Sequence, residues 1–188
     1  FVLYWMTMDR RAGWNFSLQR AVEWAERLRR PLLVLEALSC SYPWASDRLH
    51  RFILEGMADN ARAFASSDIL YYPYVEPRRD AGKGLLEALA ARACMVVADD
   101  YPCFFLPRLL AAAAERVPCL LEAVDSNGLL PMRAAPKTFV RAFDFRRFLG
   151  KHLAPHLEDF PAPDSPIRKT SAFSSSRPAR ISVSSWRP

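Results

Sequence analysis

Histidine, cysteine and glycine-rich stretches are the features of this 188-residue chain that chemistry would most readily use, and none of them is spaced for it. His50 stands apart from any Ser, Cys or carboxylate that would form a nucleophile with its base. His152 and His156 have the i,i+4 spacing of a metal pair on a helix, but Pro155 between them breaks the geometry that spacing relies on. Cys40, Cys94, Cys103 and Cys119 make no CxxC pair and have no His at zinc-ligand spacing, so they are expected to be buried free thiols. Gly82-Lys83-Gly84 lacks the Walker spacing and follows Pro77-Arg78-Arg79-Asp80, which reads as a surface loop. No metal and no catalytic set is therefore expected. What remains is recognition by charged and aromatic loop residues, and that depends on the elements that bring loops together.

Those elements alternate. Short apolar blocks at residues 1–6, 31–38, 69–75, 94–98 and 118–124 are rich in Val, Leu, Tyr and Phe without clean alternation, the pattern of strands buried on both faces. Between them run segments of helical spacing: Leu18, Ala21, Val22, Ala25 and Leu28; Leu49, Phe52, Ile53, Met57 and Phe64; Leu85, Leu86, Leu89 and Ala93; Leu106, Leu109, Leu110, Ala113 and Val117. Asn15 is placed to cap the first helix and Ser46 or Asp47 the second, while Pro31 and Pro118 stand just past helix ends. Five strands joined by four helices predict an α/β, doubly wound, Rossmann-like parallel sheet, because right-handed crossovers lay each helix against it. The ligand crevice of such a sheet lies outside the carboxyl ends of its strands, where the strand order reverses. Three loops are placed to line it: residues 7–14, 39–46 and 99–102.

Beyond the fifth strand, Asp125-Ser126-Asn127-Gly128 signals a turn, and residues 138–149 predict a further helix. That helix carries Phe139, Val140, Phe143 and Phe148 together with Arg141, Arg146 and Arg147. Its flank is expected to stay apolar and exposed, favouring self-association. The proline-rich stretch 155–166 ends regular structure, and Ser, Arg and Pro dominate thereafter, so a disordered tail is expected over 164–188. The formal charge of +6 points only weakly to nucleic acid, since the tail holds five of the 26 Lys and Arg residues and one of the 20 acids. The remaining 21 bases and 19 acids nearly balance, unlike a DNA-binding face. At 51% hydrophobic residues the chain suits one packed domain. With no long apolar run and no signal peptide, a soluble, cytoplasmic protein is expected. The first residue is not Met, which raises the expectation of residues upstream.

Several motifs resemble one family. Phe1-Val2-Leu3-Tyr4-Trp5-Met6 followed by Asp9-Arg10-Arg11 and the helix start Asn15-Phe16-Ser17-Leu18 is similar to the first strand, loop and helix of deoxyribodipyrimidine photolyases. Tyr42-Pro43-Trp44-Ala45-Ser46-Asp47, Val97-Ala98-Asp99-Asp100-Tyr101-Pro102 and Val124-Asp125-Ser126-Asn127-Gly128-Leu129-Leu130-Pro131 are similar to the class II branch. The resemblance covers the N-terminal α/β domain only, from about residue 1 to 156, and fails beyond 163.

That resemblance implies a DNA-repair lyase, driven by light, that splits pyrimidine dimers by electron transfer from reduced FAD. In the family the FAD and the damaged DNA are held by a C-terminal helical domain, which is expected to be missing from this chain. Residues 1–133 are then the antenna domain, 134–163 a helix and linker toward the missing domain, and the chain alone is expected to be inactive. A truncated gene, a frameshifted reading and an authentic flexible tail all suit the change in composition near Ser165.

Together, the crevice and the family select six residues for a possible antenna chromophore, a deazaflavin or a folate. Arg10 and Arg11 would engage an acidic ligand tail, Trp44 and Phe52 would stack on a planar ring, and Asp99 and Asp100 would accept hydrogen bonds from ring nitrogens. The competing reading makes Arg10 and Arg11 solvated loop charges, Phe52 a core residue and Asp99 or Asp100 a helix cap. Two other functions compete with the photolyase fragment: a free-standing flavodoxin-like module binding a small anionic ligand or a protein partner, and a cryptochrome-like fragment.

Overall fold

The structure, a computed structural model, describes residues 1–163; the tail expected to be disordered lies outside the described residues. Five strands, β1 (Val2–Met6), β2 (Leu32–Leu38), β3 (Leu70–Val75), β4 (Met95–Asp100) and β5 (Leu120–Asp125), alternate with helices. The helices are α1 (Phe16–Leu28), α2 (Asp47–Phe64), α3 (Leu85–Ala90) and α4 (Leu106–Arg116), and α5 (Ala142–His152) follows β5. All neighbouring strands pair in parallel, in the order β3-β2-β1-β4-β5. This is the doubly wound α/β sheet read from the sequence, and its order reverses between β1 and β4.

Strand alternation sorts the core into two layers. Val2, Tyr4 and Met6 point with Val34 and Val97 toward Leu18, Ala21, Val22 and Ala25 of α1, and Phe64 of α2 joins them. Leu3 and Trp5 point with Leu33, Leu35 and Val96 the other way, toward α3 and α4 through Leu85, Leu89, Ala113 and Val117. The caps also fall where the sequence puts them. Asn15 Oδ1 accepts the Leu18 N–H at 2.9 Å, and Ser46 Oγ accepts that of Leu49 at 3.3 Å. At Gly84, which precedes α3, the backbone takes φ +81°, where a side chain would be strained.

Several expectations need correction. Only β1, β2 and β4 are buried on both faces; β3 and β5 are the sheet's edges, and Leu120 of β5 is 61% exposed. In α2 the buried residues are Met57, Asn60 and Phe64, all in its second half, while Leu49 and Phe52 are exposed. The first half of this 18-residue helix buries no residue, so those turns extend beyond what the sheet covers. The cysteines are free as expected, but Cys94 and Cys103 are exposed and Cys40 and Cys119 only half-buried, because each lies in a connection rather than inside a core strand. The last helix spans Ala142–His152 instead of 138–149. Its first residue has no side-chain cap, and Phe139 leaves the helical path to pack on Phe145 and Phe148, with ring centroids 5.5 and 5.1 Å apart.

Candidate functional site

At the β1/β4 switch point the centre of the site is a carboxylate. Asp99, near the end of β4, is buried, and its Oδ2 accepts the backbone N–H groups of Thr7, Met8 and Asp9 at 2.8, 2.8 and 3.1 Å. Its Oδ1 accepts the Tyr4 hydroxyl at 2.7 Å. Burial and then the Asp99 charge hold the Tyr4 phenol well above its ordinary pKa, so Tyr4 stays a donor. Asn15 closes the loop from the other side by donating to the carbonyls of Asp9 and Arg11 at 2.8 and 3.0 Å. Three successive N–H groups converging on one anion form the kind of concavity that elsewhere cradles a phosphate. Here the chain's own Asp99 fills it.

More carboxylates surround this point. The side chain of Asp9 faces Asp99, Asp125 and the Ser126 hydroxyl, with Arg11 3.2 Å away. Burial, and after it the Asp99 charge, lift the Asp9 carboxyl to about 6, with Arg11 opposing. Asp100 is half-buried and receives the exposed Arg133 at 3.1 Å. Asp125 accepts the N–H of Asn127 at 2.9 Å and that of Met132 at 2.6 Å, folding the exit of β5 back over the end of β4. An incoming anion therefore meets negative charge and spent donors at the switch point itself.

The six sequence-selected residues part company. Arg10, Arg11 and Asp99 share the β1–α1 loop network. Arg10 reaches inward, donating to the Ala37 carbonyl at 2.7 Å and pairing with buried Glu36 at 3.3 Å. Arg11 is exposed and donates to the Trp14 carbonyl at 2.8 Å. Asp100 adjoins them in sequence but belongs to the Arg133 pair. Trp44, 57% exposed, meets Phe104 edge to face at 5.5 Å, joining the loops after β2 and β4. Phe52, on α2, is 75% exposed rather than core, and the structure does not bring it to the others.

Sequence reasoning passed over two buried carboxylates that shape this edge. Glu36 accepts Asn60 Nδ2 at 2.9 Å and the Tyr71 hydroxyl at 2.5 Å in addition to Arg10. Glu76 accepts Ser39 Oγ at 2.7 Å and the Cys40 N–H at 2.9 Å, tying the loop after β2 to the end of β3. Burial alone would raise the Glu76 carboxyl, but these donors outweigh it and bring it down to about 2. For Glu36 the available signal was a lone acid inside an apolar strand block, which must find partners if the strand is buried.

The flank beyond β5 is of another kind. A groove of about 680 Å³ runs along Leu130, Met132, Phe139 and Phe145, with Lys137 and Arg141 and no acid in its lining. No residue of α5 is buried, and Phe143 is 65% exposed. Among the described residues no helix is long and apolar enough to cross a membrane, and no cluster of three or more His, Cys, Asp or Glu is placed to hold a metal.

Fold and site together define a doubly wound α/β domain with a closed, acidic switch point and an open apolar flank. Over 154 residues, 81% of the chain, it is 29% identical to the deoxyribodipyrimidine photo-lyase of Methanothermobacter thermautotrophicus. Over 172 residues, 89% of the chain, it is 28% identical to that of Arabidopsis thaliana. The resemblance its motifs carry is thus found across most of the chain. The chain spans about a third of the length of these relatives, 34% of each. No family model matches the chain. Among solved structures, the universal stress protein from Archaeoglobus fulgidus in complex with dAMP is similar at a TM-score of 0.44, with 11% identity, over 65% of this chain and 97% of that one. A universal stress protein in complex with cAMP is similar at 0.39, with 22% identity, over 68% and 98%. The fold class rests on the strand order itself.

Proposed function

We propose that this chain is the α/β portion of a light-driven photolyase acting on cyclobutane pyrimidine dimers in DNA, and that its α5 flank docks a helical domain holding the FAD. The observation that carries this reading is the match of most of this chain to about a third of each photo-lyase relative. The uncovered flank supports it, because phenylalanines left in water on a basic helix are the surface a second domain would bury. Bound FAD would supply the electron for repair; the α/β portion contributes the platform. An enclosed flavin beside an extruded dimer requires a large prebuilt cavity, which in this reading the helical domain supplies.

Purified chain mixed with reduced FAD and dimer-containing DNA under blue light is expected to repair nothing. The isolated helical domain of the Methanothermobacter enzyme, supplied in trans, is expected to bind it, and Phe143→Glu to abolish that binding. Repair by the chain alone, or no binding by the wild type, would overturn the reading.

For the antenna we propose that Arg11, Trp44 and Asp100 form the rim that meets a deazaflavin or folate. Arg10 and Asp99 shape the loop beneath them. Exposure of the Trp44 ring next to the crevice supports this assignment. Quenching of tryptophan fluorescence on titration with either chromophore, lost in Trp44→Ala, is the expected result; equal quenching in wild type and variant would remove Trp44 from the site.

A further inference from the structure

The chain leaving α5 does not simply run away from the sheet. It returns to the start of α1, where the Trp14 N–H donates to the Ala162 carbonyl at 3.0 Å and the Ala162 N–H donates to Gln19 Oε1 at 3.3 Å. Gly13 lies directly beneath this crossing, and a Cβ placed on it would collide with the carbonyl oxygen of Pro163. The obstructing atom is backbone, which cannot swing aside as a side-chain tip does. From these contacts we infer that residues 160–163 are a strap that holds the crevice loop in shape, with Gly13 the residue that admits it.

The strap reaches the crevice through a short relay. Trp14 takes φ +52°, a left-handed conformation that a bulky residue adopts only when its surroundings hold it there. Its N–H is held by the strap, and its carbonyl accepts Arg11 Nε at 2.8 Å. Arg11 in turn pairs with Asp9, whose own N–H belongs to the Asp99 cradle. Seating the strap therefore fixes the Trp14 peptide, and the Trp14 peptide orients Arg11 beside Asp9. When the strap lifts, Arg11 loses its backbone anchor and the loop gains freedom while the sheet stays intact. The seating of residues 160–163 is thus coupled to the charge arrangement at the switch point. This device stands on the contacts alone and holds whether or not the photolyase reading does.

Amide hydrogen exchange on the full chain, read at Trp14 and the neighbouring loop amides, tests it. Gly13→Ala is expected to speed Trp14 exchange by about fivefold or more, the factor that losing one ordinary hydrogen bond corresponds to. Chymotrypsin cleavage after Trp14 should accelerate in parallel. Gln19→Ala, which removes one anchor without adding an atom, should shift both in the same direction and by less. Gly56→Ala, at a helical glycine with nothing within 4 Å of the added carbon, should change neither. Amides of β1 and β4 should keep their protection in all three. Unchanged Trp14 exchange in Gly13→Ala overturns the strap. If that variant loses protection throughout the sheet, Gln19→Ala decides, and its failure to move Trp14 overturns the strap equally.

Discussion

The switch-point edge and the α5 flank are built on opposite terms. At the edge, the N–H groups of Thr7, Met8 and Asp9 converge on Asp99, and burial leaves Asp9 difficult to ionise. On the flank, aromatic side chains and cations face water, with one acid, Asp144, on the helix itself. The difference teaches which surface is finished. A closed hydrogen-bond network needs nothing from outside, whereas an amphipathic helix with no buried residue has yet to bury its apolar side.

Substitutions at the edge should therefore cost stability, and substitutions on the flank should not. The largest effect is expected at Asp99→Ala, which strands the Tyr4 hydroxyl and three backbone N–H groups; chemical denaturation should show a loss of about 3–5 kcal/mol. A loss under about 1 kcal/mol would mean that the edge is not the closed unit described. Asn15→Ala removes both the α1 cap and the ties to the loop carbonyls, and about 2 kcal/mol is expected from urea midpoints.

The acids at the edge set a pH dependence of definite sign. Asp9 keeps its proton in the fold up to about 6, whereas its ordinary value is 3.8. Its contribution is therefore unpenalised below about pH 4, and stability falls as pH rises from there through about 6. Glu76 acts oppositely: its folded value of about 2 lies below the ordinary 4.5, so the stability it lends above 4.5 is lost as pH falls toward 2. Asp9→Asn should flatten the upper slope and gain on the order of 1–3 kcal/mol relative to wild type between pH 4 and 7. Parallel denaturation curves at pH 4.5 and 7.5 give the answer directly; an unchanged slope would place the Asp9 carboxyl in water. The smallest effect belongs to the flank. Val140→Ser, at a residue 99% exposed, should change the unfolding free energy by no more than about 0.5 kcal/mol. It should also reduce concentration-dependent sedimentation, and a large loss of stability there would show that the flank is already covered.

Much of this contrast was legible before any coordinates. Phe139, Val140 and Phe143 beside Arg141 and Arg146 announce an amphipathic segment by composition alone, and only its helical limits were misplaced. The edge was legible as a location, since strand order and loop position select residues 7–14 and 99–102. Its chemistry was not: Asp99 and Arg10 read as ligand contacts, while in the structure both are engaged by the chain itself. Glu36, Asn60 and Tyr71 form one network from three separate elements, and no spacing rule links them. Exposed Phe52 was read into an apolar stripe because periodicity does not report where a helix outruns the sheet beneath it.

By itself the sequence determined the alternation of strand and helix, the caps at Asn15 and Ser46, and the apolar character of the last helix. These follow from burial periodicity and local hydrogen bonding, which act over a few residues. Tertiary structure alone decided that Asp99 would close the turn after β1, that Arg10 would turn inward to Glu36, and that Ala162 would cross back to Trp14. Each of those pairings joins residues far apart in the chain, and a carboxylate accepts from whichever donors the strand register brings within about 3 Å.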